Sequence, residues 1–140
     1  MRCVLDTNVV VAAMRSPAGA SAALLTAART SNLTLLATVA LALEYEATCR
    51  LPEHRNAAGL SVREVNVFID AVLAMAEPIE PYFLWRPQLR DPADELVLEA
   101  AINGRATALV TFNLRDFGDA PTRFGIDLLI PGEALGKIRT

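Results

Sequence analysis

The chain is poor in the residues that build zinc or disulfide frameworks: among 140 residues it has two cysteines, Cys3 and Cys49, and one histidine, His54. Neither cysteine has a second Cys or His at metal-ligand spacing, which argues against zinc, and thiols in a strand-like run and at a helix end read as small core residues rather than a bridge. Basic charge is also scarce. The only lysine is Lys137, and a formal net charge of −3 with a pI near 5.1 is the wrong balance for a basic stripe of the kind that grips nucleic acid. The longest apolar stretch, residues 33–43, is interrupted by Thr34 and Thr38 and stopped by Glu44, short of the ~20 residues that cross a bilayer. No membrane span is expected. The first strand candidate follows Met1 directly and leaves no room for a leader, so the expectation is a cytoplasmic protein. Repeats, low-complexity tracts and linkers are missing as well.

What the chain does have is apolar content, 53% of its residues, enough for the core of one domain covering residues 1–140. Residues 2–5 read as a short buried strand; Asp6, Thr7 and Asn8 supply turn and capping chemistry before the apolar run 9–14. After the Ser16-Pro17 break, residues 18–29 are helical in composition. A second strand is expected over 33–37, and Thr38 caps a helix carrying Glu44 and Tyr45. Residues 50–60, with Pro52 and Gly59 and little apolar periodicity, read as a loop. Ser61 and Glu64 form a capping box ahead of a stripe of Val65, Phe68, Ile69, Val72 and Leu73.

Residues 76–81 make a weak strand that Pro78 and Pro81 confine to a sheet edge. Asp91 and Pro92 open the clearest helix, which Gly104 ends, and strands follow at 106–110 and 126–130. Strands alternating with helices predict an α/β fold with a parallel sheet covered on both faces and right-handed crossovers, whose ligands bind beyond the carboxyl ends of the strands.

Four acids map to that edge: Asp6, Glu44, Asp94 and Asp116. Each has an ordinary explanation. Asp6 can simply cap a helix, and Asp94, at the third helical position after Asp91 and Pro92, can stabilise the helix dipole by ~0.3 to 1 kcal/mol. Glu44 can be a solvated helix residue, although Leu43 and Tyr45 suggest partial enclosure, and turn chemistry accounts for Asn113 and Asp116. These explanations must coincide in four segments ending on one edge. Several carboxylates converging there match the hard oxygen ligands that Mg²⁺ or Mn²⁺ requires. Setting the four aside takes the formal charge from −3 to +1, so a phosphate-bearing substrate is compatible with the composition. Arg50, His54, Arg55 and Arg63, in and beside the loop 50–60, are the candidates for holding RNA, with a solvated basic face as the plain alternative. Trp85 reads as a core or interface anchor.

In these motifs the chain resembles the PIN-domain nucleases, especially those that act as toxin components of toxin-antitoxin systems. VLDTNVVVAA resembles the family's opening strand with its first metal acid at Asp6 and supporting Thr7 and Asn8; LALEYE is similar to the segment with the second acid, Glu44. RDPADELVLEAAI resembles the helix motif with the third acid, Asp94, and LVTFNLRDF the closing motif with Thr111, Asn113 and Asp116. The tail GIDLLIPGEAL matches a last strand and a Pro-led helix. One departure stands out, because many members carry an acid where this chain has Asn113; Asp116 then takes the fourth acidic role.

The resemblance implies a three-layer α/β/α sandwich around a mainly parallel sheet of four to five strands, and a metal-dependent endoribonuclease. Asp6, Glu44 and Asp94 would hold one or two Mg²⁺ or Mn²⁺ ions, and hydrolysis would leave a 5′-phosphate and a 3′-hydroxyl. It further implies a homodimer silenced by a small antitoxin. An aspartyl phosphotransferase of the haloacid-dehalogenase type needs an acid where Asn8 stands, and a phosphoacceptor receiver needs an acid pair after the first strand and a late sheet lysine. The remaining alternative is a non-catalytic PIN scaffold that binds RNA or a protein partner, a reading that Asn113 supports.

Overall fold

The computed structural model describes residues 1–30, 32–82 and 87–139. Trp85 lies outside the described residues. The sheet is built around β1 (Arg2–Leu5), whose Cys3, Val4 and Leu5 are buried because neighbours flank it on both edges and helices cover it. It pairs in parallel with β2 (Thr34–Ala37) on one side and β4 (Ala108–Val110) on the other. Outside these lie β3 (Ala76–Pro78) and β5 (Asp127–Leu129), giving the order β3-β2-β1-β4-β5, all parallel. The proline-bearing segment thus takes an edge, where its missing N–H costs no ladder bond.

β1 is joined to β2 by α1 (Thr7–Arg15) and α2 (Ala20–Arg29), and β2 to β3 by α3 (Val39–Cys49), α4 (Pro52–Ala58) and α5 (Val62–Met75). The chain then crosses the sheet through α6 (Pro92–Asn103), which packs on β1, β2 and β4. Two four-residue helices, α7 (Leu114–Phe117) and α8 (Ala120–Arg123), lead to β5, and α9 (Pro131–Arg139) returns against α2. Right-handed crossovers running in opposite directions put the first five helices on one face and α6 on the other, so the fold is a three-layer α/β/α sandwich. Because the connections of β1 and β4 leave in opposite directions, a crevice opens between their carboxyl ends.

Local chemistry explains most of the elements. The Thr38 hydroxyl accepts from Leu41 N–H, the Ser61–Glu64 capping box is complete, and Asp91 accepts from Ala93 N–H ahead of Pro92. Val65, Ile69 and Val72 bury the α5 stripe, with Phe68 and Leu73 packed at its margin. Gly104 is required by close approach: a Cβ there would lie 2.9 Å from the Ala100 carbonyl and 2.9 Å from Leu36 Cδ1. Cys3 and Cys49 are free, buried thiols. Among the described residues no single helix is long and apolar enough to cross a membrane.

One expectation fails: residues 50–60 are not a loop. Pro52 and Gly59, which look like breakers, are the first residue of α4 and its left-handed cap (φ 71°). The helix has no apolar stripe because it buries no residue fully; it rests on α1, with Ala58 packed at the margin of the core.

Candidate active site

Asp6 stands at the crevice. Its N–H donates to the Val110 carbonyl at 2.8 Å, extending the β1–β4 ladder by one residue and fixing the backbone just before α1. Its carboxylate is then held at both oxygens: Oδ1 accepts from Thr7 N–H at 2.7 Å and Oδ2 from the Thr111 hydroxyl at 2.7 Å. Thr111 is fully buried, and having spent its proton on Asp6 it accepts from Asn113 N–H at 3.0 Å, with the Asn8 amide at 3.5 Å. Asn8 Oδ1 in turn receives Phe112 N–H at 3.4 Å. The residues after β1 and β4 are therefore one hydrogen-bonded unit whose product is a fixed Asp6 carboxylate.

Asp94 lies in the first turn of α6 and forms no hydrogen bond among the described residues. Partial burial, with the charges of Asp6, Asp91 and Asp116 added, pushes its carboxyl up to about 6. Asp6 is also raised, mainly by burial and less by Asp116 and Asp91, while its Thr111 and Thr7 donors pull the other way. Two donors stabilise the Asp6 anion, and among the described residues none stabilises that of Asp94. Asp116, exposed on α7, joins Asp91 and Asp94 in lining a cleft of about 490 Å³ that Arg90, Arg115 and Arg123 also line.

The structure thus brings Asp6, Asp94 and Asp116 into one electrostatic group, together with an acid read only as a helix cap, Asp91. Its signal was present: Asp91 and Asp94 are three apart at a helix start, a spacing that puts both on one side. Glu44 is half-buried on α3, where its carboxylate accepts from the Thr48 hydroxyl at 3.4 Å, and its charge is not among those acting on Asp6 or Asp94. Its neighbour Tyr45 anchors α3 to the site by donating its hydroxyl to the Leu5 carbonyl, directly before Asp6. Glu95 was also missed. It accepts the N–H groups of Gln88 and Leu89 and so holds the segment that delivers Arg90 and Asp91.

The basic residues are placed elsewhere. Arg15, the last residue of α1, lies 3.2 Å from His54 Nδ1, about 13 Å of helix axis from where α1 starts beside Asp6. Arg55 shares α4 with His54, Arg50 donates to Asn66 at 2.8 Å, and Arg63 is exposed in the first turn of α5.

Among the described residues no three Asp, Glu, His or Cys side chains stand close enough to enclose an ion as placed. The donor chemistry nonetheless suits Mg²⁺ or Mn²⁺. All donors are carboxylate oxygens, and among the described residues no ion pair neutralises Asp6, Asp91, Asp94 or Asp116.

No curated protein and no solved structure matches the chain. The profile of the family described as PIN domain matches residues 2–115, from β1 to the residue before Asp116. That span holds Asp6, Glu44, Asp91, Asp94, Thr111 and Asn113 and leaves Asp116, α8, β5 and α9 beyond it. With this match covering most of the chain, and acids gathered at the crevice of its parallel sheet, the chain belongs to the PIN-domain family, whose members are generally nucleases.

Proposed function

We propose that this chain is a Mg²⁺- or Mn²⁺-dependent endoribonuclease that hydrolyses RNA phosphodiester bonds, and that it is the toxin of a cytoplasmic toxin-antitoxin pair. The observation that carries the nuclease reading is the group Asp6, Asp94 and Asp116, whose like charges share one edge and, among the described residues, form no ion pair. The toxin role rests on the four sequence motifs alone.

Asp6 and Asp94 would hold the ion, with Asp116 at the open side of the cleft and Glu44 reaching in from α3. When bound, a divalent ion supplies Lewis acidity, lowering the pKa of water and offsetting charge on the scissile phosphate. The chain's own residues supply orientation. Thr111 and Thr7 fix the Asp6 carboxylate, and Asn8 and Asn113 hold Thr111. The products are a 5′-phosphate and a 3′-hydroxyl. Homodimerisation and capture by a small antitoxin, with a basic side chain set among the acids, complete the proposal.

The test is cleavage of single-stranded RNA by pure protein with Mn²⁺. Cutting should stop with EDTA and in Asp6→Asn and Asp94→Asn. Near-wild-type turnover by either variant would reduce that residue to a helix cap and remove the site.

A further inference from the structure

The acids Asp91, Asp94 and Asp116 share their cleft with three arginines, Arg90, Arg115 and Arg123, beside Gln88 and Asp119. Arg90 directly precedes Asp91 and Arg115 directly precedes Asp116, and all four residues line the cleft. Neither position is left to a free loop: Glu95 ties down the backbone of Gln88 and Leu89, and Arg115 sits within α7. Among the described residues neither Arg90 nor Arg115 forms an ion pair, although carboxylates line the same cleft, whereas Arg123 is spent on Asp119 at 3.7 Å. Two exposed cations that decline adjacent carboxylates are free to meet an anion arriving from outside.

The α4 region offers less. Arg50 is engaged by Asn66 and Glu46, His54 by Arg15 and Glu53, and the Arg55 Nε is buried without a partner among the described residues.

We propose that the cleft carrying Asp91, Asp94 and Asp116 is the phosphate track for the RNA strand, with Arg90 and Arg115 contacting the phosphates that flank the scissile one. This deepens the ribonuclease reading and rests on it. The two arginines act on binding, because the flanking phosphates keep their charge throughout the reaction; their contacts are equal in ground and transition states. A cleft of about 490 Å³ is within the range of sites that enclose a ligand of nucleotide size.

The experiment has two arms. In the first, Arg90→Ala and Arg115→Ala are assayed for cleavage of single-stranded RNA with Mn²⁺; each should raise KM about tenfold with kcat little changed, and Arg→Lys at each position should recover most of the loss. In the second, a fluorescein-labelled single-stranded RNA is titrated into Asp6→Asn protein at several salt concentrations. Each alanine substitution should flatten the dependence of log Kd on log salt by about 0.7, as the loss of one phosphate contact on a single strand requires. Arg50→Ala and Arg63→Ala serve as comparisons and should leave the slope in place. Unchanged KM and slope in the Arg90 and Arg115 variants, or a slope lost instead in the Arg50 and Arg63 variants, overturns the proposal. RNA binding with the predicted slopes but no cutting by wild-type protein would sink the ribonuclease reading and keep the track.

Discussion

Thr111 shows how much one buried hydroxyl can be asked to do. It donates to Asp6 and accepts from Asn113 N–H, so Thr111→Val leaves a nearly buried carboxylate short of one donor and strands an amide. A loss of about 1–3 kcal/mol in urea unfolding is expected, with cleavage falling further than stability because Asp6 loses its orientation. An unchanged midpoint would mean that the hydroxyl is replaceable by water. Asp94 makes the opposite prediction. Its carboxyl sits at about 6 against an ordinary 3.8, so the native state binds a proton that the unfolded state has already released. Stability of the metal-free protein should therefore fall as pH rises from 4 through 6, and Asp94→Asn should flatten that fall. At pH 7 the variant should be more stable by roughly 1 kcal/mol, solvent screening having been allowed for at this partly exposed group. Melting curves across this pH range check it; a steeper fall in the variant would contradict it. Asn113, lacking the charge usual at its position, gives a third expectation: Asn113→Asp should tighten Mn²⁺ binding in calorimetry. Weaker binding would show that the side chain faces away from the ion.

At the scale of elements, the legible ones were those whose boundaries carry local chemistry. The Asp91-Pro92 start and Gly104 end of α6, the Ser61–Glu64 box of α5 and the prolines that send β3 to the edge could all be read without the fold. The element that could not be read was α4, because a short helix that buries no residue fully has no periodicity to see, and its Pro52 and Gly59 suit a loop equally well. The four-residue α7 and α8 are too short for periodicity as well. In the site, the post-strand positions of Asp6 and Thr111 were legible from strand order. Asp91 was not separated from ordinary capping and Glu95 was not singled out, since what distinguishes them is the segment 87–90 folding back over the start of α6. Gly104 supplies the element-scale prediction. Gly104→Ala places a methyl against the Ala100 carbonyl and Leu36, and should cost about 1–3 kcal/mol by overpacking where α6 meets the sheet. A neutral effect in thermal unfolding would show that α6 can shift away without penalty.

For the whole molecule, the sheet's order decides where function sits. Connections leaving β1 and β4 in opposite directions open the only kind of place where residues from distant segments, Asp6 near one end of the chain and Asp116 near the other, meet without a loop being built for the purpose. The apolar core positions that edge, and its acids, which form no ion pair among the described residues, make a site that a cation should stabilise. The most direct test is the thermal stability of wild type, Asp6→Asn and Asp94→Asn with and without Mn²⁺. At 100 times its dissociation constant, Mn²⁺ should stabilise the wild type by about 2.7 kcal/mol through binding to the folded state, and each variant by clearly less. Equal Mn²⁺-induced shifts in all three proteins would mean that Asp6 and Asp94 do not share an ion, and the account of this edge as a metal-dependent nuclease site would be contradicted.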